Sequence, residues 1–161
     1  MAARGTRATQ ELTRLSIPHT VHPYQHQDPA GGYGPEAAAA LGVPPEQVFK
    51  TLVASVDGQL TVAVVPVAGQ LSLKALAEAA GGKRAEMAKP EEAARATGYV
   101  VGGISPIAQR RRLPVLVDAT ALDWPTVYCS AGQRGLQVQL APADLVRATG
   151  AVVAPLARPV A

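Results

Sequence analysis

The chain has 161 residues, of which 48% are hydrophobic, enough to build one buried core without disulfides or a structural metal. Its single cysteine, Cys129, excludes an intramolecular disulfide, and three histidines with one thiol do not make a zinc-ligand pattern. The net charge of +3 permits an anionic partner without requiring one. The sequence offers neither a run near the ~20 apolar residues of a membrane span nor an apolar signal segment. We therefore expect a cytoplasmic, single-domain protein over residues 1–161 that uses no cofactor and no metal.

The first part of the chain mixes helix signals with strand signals. Apolar residues recur at helical spacing from Thr6 to Leu15, and two β-branched runs flank Asp57-Gly58, a strong hairpin signal. In chain order we expect a helix over 6–15, an extended segment over 17–24, a glycine-containing loop over 25–35, a helix from Pro35 or Glu36 to Leu41, and paired strands over 48–56 and 60–65.

The second part continues this mixture and decides the fold class. Ser72 can cap a helix that Gly81-Gly82 ends, and Pro90 opens another helix that Gly98 ends. Further expected elements are strands over 114–118, 126–130 and 136–140, a helix over 142–149 and an apolar tail over 151–156. Intermixed elements around a hairpin favour an α+β fold on a mostly antiparallel or mixed central sheet with flanking helices, over a parallel βαβ array.

Lys50 is the most informative single residue, because it interrupts the apolar run Val48 to Val53. Strand alternation places it on the same side as Val48, Leu52 and Ala54, so its ammonium must open onto a cleft or be buried at a cost. The residues alone leave two readings equally open. One is a functional lysine, and the other is a lysine near a strand end that extends its amine into solvent.

Two further segments have both a functional and an ordinary structural reading. The glycine-rich run from Gly98 to Pro106 could let backbone N–H groups approach a ligand, or it could be a tight connection. Arg110, Arg111 and Arg112 form the densest positive cluster, which could contact phosphate or simply be a solvated loop.

Three other residues are assigned no chemistry. His22 and His26 are four apart but flank Pro23, without nearby acidic or thiol ligands, so we reject a metal site. Cys129 lies among strand residues without an adjacent histidine, which favours a buried structural thiol over a nucleophile.

Several stretches taken together resemble one protein family. They occur in order along most of the chain and include HPYQH at 22–26, PEQVFKTL at 45–52, VVPVAGQL at 64–71, the run from Thr97 to Pro106, RLP at 112–114 and SAGQRGL at 130–136. With the lysine-bearing strand and the glycine run present in one chain, the sequence resembles the YbaK/EbsC family of aminoacyl-tRNA deacylases, and within it the Cys-tRNA(Pro) deacylase branch.

The resemblance implies a barrel-like sheet and a trans-editing enzyme that hydrolyses the ester between a mischarged amino acid and the 3′ end of its tRNA. It implies that Lys50 is the essential catalytic residue. It also implies that Tyr24, Tyr33, Thr51, Gly102, Gly103 and Ser130 bind substrate. Gln137 is placed with them but departs from the family, whose members often carry aspartate there, so its ability to hold a cation is in doubt. Arg110 to Arg112 match as basic residues without a fixed role.

The resemblance also implies a mechanism in which the cysteine thiol of the substrate attacks its own ester to form a thiolactone, so that no protein nucleophile is needed. Lys50 would activate the thiol, orient the acyl group or stabilise negative charge. Two alternatives stay open: an Ala-tRNA(Pro) deacylase that activates water, and a non-catalytic module that binds tRNA or a synthetase. Expected partners are the acceptor end of aminoacyl-tRNA and prolyl-tRNA synthetase in a ternary complex.

Overall fold

The structure is a computed structural model that describes residues 5–25 and 33–159. The helices are α1 (Arg7–Arg14), α2 (Tyr33–Leu41), α3 (Leu73–Ala79), α4 (Pro90–Thr97) and α5 (Pro142–Thr149). The strands are β1 (Thr20–Pro23), β2 (Phe49–Val56), β3 (Gln59–Pro66), β4 (Gly69–Leu71), β5 (Ala85–Met87), β6 (Val115–Asp118), β7 (Val127–Gln133), β8 (Leu136–Leu140), β9 (Val152–Ala154) and β10 (Ala157–Pro159). Across these residues, none of the helices has the length and apolar character needed to cross a bilayer.

The largest sheet has five strands in the order β5-β2-β3-β6-β9. The hairpin of β2 and β3 turns at Asp57 and Gly58, which both have positive φ angles, as a tight hairpin turn requires. β5 joins β2 antiparallel, whereas β6 and β9 are parallel to β3. The sheet is therefore mixed, as the sequence predicted.

A second sheet, β1-β8-β7, is antiparallel throughout and meets the first sheet where β2 begins. A single bridge joins Val48 to Tyr128 at this point. Apolar side chains of β2, β3, β7 and β8 pack between the sheets with α1 and α5, and Phe49, Leu12, Leu140 and Leu145 are all buried there. The hydrophobic effect of this shared core fixes the start of β2 against β7.

Asp118 ties the end of β6 to the C-terminal segment. Its buried carboxylate accepts backbone hydrogen bonds from Leu156 and Ala157 at 2.7 and 2.8 Å, and Thr120 also donates to it. Burial raises the pKa of Asp118, but the hydrogen bonds from Thr120, Leu156 and Ala157 outweigh it and hold the pKa below its ordinary value. The carboxylate therefore stays ionised and positions β10 beside β4.

The α+β class, the hairpin and most elements are confirmed. The predicted start of α2 was wrong, because the helix begins at Tyr33, two residues before Pro35, so that Tyr33 belongs to the helix and not to the preceding loop. β7 continues past Ser130 to Gln133 through a register shift. The sequence also missed β4, β5, β9 and β10, whose three-residue lengths are too short to show periodicity.

Candidate active site

A cavity of about 420 Å³ lies beside the first half of β2. β5 pairs only with Ala54, Ser55 and Val56, so no strand of the described chain covers the outer edge of β2 at residues 50–52. The walls come from β2, from α4 and the residues before it, from the glycine-rich run and from the facing strands β7 and β8. The described lining residues are Pro35, Val48, Phe49, Lys50, Thr51, Leu52, Val53, Val67, Met87, Ala88, Pro90, Ala93, Val101, Gly102, Ile104, Ser130 and Gln137.

Lys50 lies on this stretch of β2 and is the only cationic residue among those lining residues. Its position in β2, opposite Val65, is fixed by the hairpin register. The side chain is half-buried, and desolvation lowers the pKa of the ammonium below its ordinary value. It makes no ion pair with any described residue. Lys50 is therefore a partly dehydrated cation available to an anionic or polar ligand.

Two of the residues that line this cavity also carry a buried side-chain oxygen without a partner. Thr51 Oγ1 and Gln137 Oε1 are the buried side-chain polar atoms of the described residues that make no hydrogen bond. Gln137 is only 7% exposed and lies opposite both Ser130 and His22 in the strand register. A buried polar atom without a partner costs about 1–3 kcal/mol. A bound molecule that donates hydrogen bonds would recover this cost.

The glycine-rich run forms the rim of the cavity and is fixed in place by side chains. Ser130 Oγ donates to the carbonyl of Gly103 at 3.0 Å and accepts from the N–H of Gly132 at 3.1 Å. Arg134 donates twice to the carbonyl of Val101, at 2.9 and 2.6 Å. Gly103 packs so closely on β7 that an added Cβ would lie 2.8 Å from the backbone nitrogen of Arg134. The rim is thus an ordered part of the site.

Tyr99 anchors the base of the same run. Its hydroxyl donates to the carbonyl of Ile107 at 2.6 Å, and its ring lies 5.8 Å from the Arg7 guanidinium. Burial raises the pKa of Tyr99 to about 12, so the phenol keeps its proton and its donor role. Sequence reasoning did not single out this residue.

The other residues expected at the site are placed as follows. Tyr24 is half-buried beyond the end of β1, where its N–H donates to Gly135, and Tyr24 and Gly103 are not among the cavity-lining residues. Tyr33 begins α2, and its side chain lies outside what the structure describes. Arg110, Arg111 and Arg112 are exposed and do not line this cavity.

The sequence assigned no chemistry to His22, His26 and Cys129, and the structure describes two of these three residues. His22 bonds Gln139 at 2.8 Å through Nε2, whereas His26 lies outside the described residues. In the described ranges, no group of three or more potential metal ligands occurs. Cys129 is fully buried, and desolvation raises the pKa of its thiol to about 12. It is not one of the residues that line the cavity.

Several cavity walls were not predicted, notably Met87, Ala88 and Pro90, which lie in and after the short strand β5. Their side chains carry no chemical signal. Only the pairing of β5 with β2, a long-range contact, brings them to Lys50.

Comparisons with known proteins give a matching family model and several similar chains. The family model described as an aminoacyl-tRNA editing domain matches residues 32–148. A protein of Enterococcus faecalis, provisionally named Cys-tRNA(Pro)/Cys-tRNA(Cys) deacylase EbsC, is 34% identical over 156 residues, which are 92% of this chain and 93% of that protein.

Two further similarities involve prolyl-tRNA synthetase. The proline–tRNA ligase of Acidithiobacillus ferrooxidans is 33% identical over 87 residues, which are 54% of this chain but 15% of the ligase. A crystal structure provisionally described as a trans-editing enzyme for prolyl-tRNA synthetase superposes with a TM-score of 0.80 at 27% identity, covering 94% of this chain and 95% of that one. The match of the family model to most of the chain, and of EbsC to nearly all of it, confirms the resemblance read from the sequence: this chain belongs to the family of aminoacyl-tRNA editing domains.

Proposed function

We propose that this aminoacyl-tRNA editing enzyme is a single-domain trans-editing deacylase that removes cysteine from mischarged tRNA, Cys-tRNA(Pro) above all. The observation that carries the proposal is the composition of the cavity. It holds one cation and two unpartnered acceptors, yet its described lining residues include no cysteine and no histidine. Ser130 is already engaged as both donor and acceptor, so its hydroxyl has no base to activate it.

A site without its own nucleophile suits a substrate that supplies one. The cysteine thiolate attacks the acyl carbon, the bond from that carbon to the ribose oxygen breaks, and the ribose oxygen takes a proton. The products are a free tRNA 3′ end and a cyclic thiolactone, which water opens to cysteine. Because the thiol and the ester belong to one molecule, holding them in the reactive geometry supplies much of the rate.

Lys50 is the catalytic residue in this proposal. A partly dehydrated ammonium lowers the pKa of a neighbouring thiol and stabilises the oxyanion that forms when the ester carbonyl is attacked. Gly102 lies on the same cavity wall, and Thr51 and Gln137 accept hydrogen bonds from the substrate. Gln137 performs this as a neutral amide.

The partner proposals follow from the similarities. EbsC carries Cys-tRNA(Pro) and Cys-tRNA(Cys) in its name, and the solved structure is described in connection with prolyl-tRNA synthetase. We therefore propose aminoacyl-tRNA as the substrate, held by its acceptor end, and recruitment by prolyl-tRNA synthetase in a ternary complex.

A second candidate is an Ala-tRNA(Pro) deacylase that activates water. The mainly apolar walls, among them Phe49, Leu52 and Ile104, would accept a small apolar acyl group. This alternative needs a group that activates water, and the described lining residues offer none besides Lys50.

The deciding experiment compares tRNA(Pro) charged with cysteine, serine and alanine. We expect rapid deacylation of Cys-tRNA, while Ser-tRNA binds but reacts at least roughly 100-fold more slowly, because a hydroxyl is far less ionised than a thiol at neutral pH. Ser-tRNA differs from Cys-tRNA by one atom, which makes it the matched control. Equal rates for the two would rule out thiol assistance, and preferential loss of alanine would establish the water-activating alternative.

A further inference from the structure

A second cavity, of about 330 Å³, gathers arginines from three separate parts of the fold. Arg14 comes from the last turn of α1, Arg111 and Arg112 from the segment before β6, and Arg147 from the last turn of α5. These residues are far apart in sequence, so only the tertiary fold creates this concave, arginine-lined surface, which is called here the arginine cavity.

The charges of the arginine cavity do not cancel. Glu11 holds Arg14 through two contacts, at 2.8 and 2.6 Å, and Asp144 lies 3.5 Å from Arg147. Arg111 and Arg112 make no ion pair with any described residue. The cavity therefore carries two uncompensated guanidinium groups, with a third, on Arg147, only loosely engaged.

The backbone that carries the free arginines is held in place. The N–H of Arg111 donates to the carbonyl of Ala96 at 2.9 Å, and the N–H of Arg110 donates to that of Thr97 at 2.8 Å. Both carbonyls belong to the last turn of α4, where helical partners are missing. Arg110 instead packs beside Gly98, so the arginine triplet divides between two surfaces and Arg110 does not line the arginine cavity.

The arginine cavity lies away from Lys50. It is lined by Val115 at the start of β6, which pairs with Val62, whereas Lys50 pairs with Val65. Three residues along β3 and two strand spacings across the sheet separate the two positions by about 14 Å. At ~3.4 Å per nucleotide of a stacked strand, this distance spans about four nucleotides.

We propose that the arginine cavity binds a backbone phosphate of the tRNA, several nucleotides from the ester held beside Lys50. This inference rests on the proposed function for the choice of RNA as the ligand. A guanidinium binds a phosphate through paired, charge-assisted hydrogen bonds, and two free arginines with a third nearby match one phosphodiester. The contact fixes where the acceptor end lies and reads no base.

The first test is the double variant Arg111→Gln with Arg112→Gln, measured for binding to an uncharged tRNA(Pro) transcript over a range of salt concentrations. We expect affinity at 50 mM salt to fall at least roughly tenfold and the slope of log affinity against log salt to drop by about 1. The matched control is Arg84→Gln with Arg158→Gln, two exposed arginines outside the cavity, which removes the same net charge.

A second variant predicts a gain. Glu11→Gln removes the carboxylate that neutralises Arg14 and frees that guanidinium, so the variant should bind the same transcript several-fold more tightly and with a steeper salt slope. A cavity that plays no part in binding would show no such gain.

The transcript carries no amino acid, so its binding can be measured independently of deacylation. A protein without deacylase activity would therefore still show whether the arginine cavity binds RNA. Equal weakening by both double variants would reduce the effect to net charge and overturn the proposal, as would a wild type that does not bind the transcript at 50 mM salt.

A hexaglutamate peptide serves as the second probe. If the double variant Arg111→Gln with Arg112→Gln loses binding to this peptide while its RNA binding is unchanged, the cavity binds an acidic protein segment. That result would overturn the proposal for RNA.

Discussion

At the scale of single residues, the chain carries a cation where packing alone would favour an apolar side chain. Lys50 follows Phe49, which is buried in the main core, and precedes Thr51, whose hydroxyl has no partner. Sequence alternation predicted which face Lys50 occupies, because that depends only on the strand period. The unpartnered state of Thr51 and Gln137 could not be predicted, since it depends on what β7, β8 and the glycine run leave uncovered.

Replacing Lys50 with methionine should separate function from stability. We expect deacylation of Cys-tRNA(Pro) to fall by about 100-fold or more, because the variant lacks the charge that stabilises the oxyanion. Thermal stability should not fall and should rise slightly at neutral pH, because the variant no longer desolvates an ammonium. Single-turnover deacylation and thermal unfolding measure the two effects, with the exposed Lys74→Met as the control.

The pH dependence of that stability difference has a defined sign. The pKa of Lys50 is lowered in the folded state by desolvation, while the unfolded chain keeps the ordinary value of 10.5. Burial of the charged amine is therefore unfavourable below the folded pKa, and this penalty disappears as the pH rises through the folded pKa towards 10.5. The advantage of Lys50→Met should shrink over that range. A variant that is clearly less stable at neutral pH would show that Lys50 is structural.

At the scale of elements, a helix or strand could be predicted from the sequence when it was long or carried a local signal such as a cap or a turn. The Asp57-Gly58 turn fixes the β2-β3 hairpin, and Ser72 caps α3 as its position indicated, with its hydroxyl accepting from Ala75 at 3.1 Å. β5 has no such signal in its three residues, yet its end sets where the open edge of β2 begins. The cavity therefore exists because β5 ends before it reaches the first half of β2. No local sequence pattern indicates where β5 ends.

Gly103 should be essential for the shape of the rim rather than for chain flexibility. A Cβ there would lie 2.8 Å from the Arg134 nitrogen and from the Gln133 carbonyl carbon, and backbone atoms cannot rotate away as a side chain can. Gly103→Ala should push the run off β7, break the bond from Ser130 and lower kcat/KM for Cys-tRNA(Pro) at least roughly tenfold. Steady-state kinetics provide the measurement.

Gly81→Ala is the matched control, because Gly81 has a φ of +76° but open space around its Cβ position. It should cost about 1 kcal/mol of stability from backbone strain and leave kcat/KM unchanged. Normal kinetics in Gly103→Ala would mean that the rim takes no part in the reaction.

At the scale of the whole molecule, the surfaces proposed for tRNA meet parts that all tRNAs share. The net charge is only +3, too little for an extended basic surface. The cavity beside Lys50, of about 420 Å³, would hold the aminoacyl group, and the arginine cavity would contact a phosphate. Contacts to an acyl group and to a phosphate read no base edge.

Purified enzyme should therefore deacylate cysteine from tRNA(Pro), tRNA(Cys) and tRNA(Ala) with kcat/KM values within about threefold of one another, since phosphate contacts carry no sequence information. Added prolyl-tRNA synthetase should raise the rate for Cys-tRNA(Pro) alone, because linking the two proteins on one tRNA raises the effective concentration of that substrate. Parallel deacylation assays with and without the synthetase measure both effects. A tenfold preference for one tRNA in the absence of synthetase would mean that this chain itself reads a feature of that tRNA.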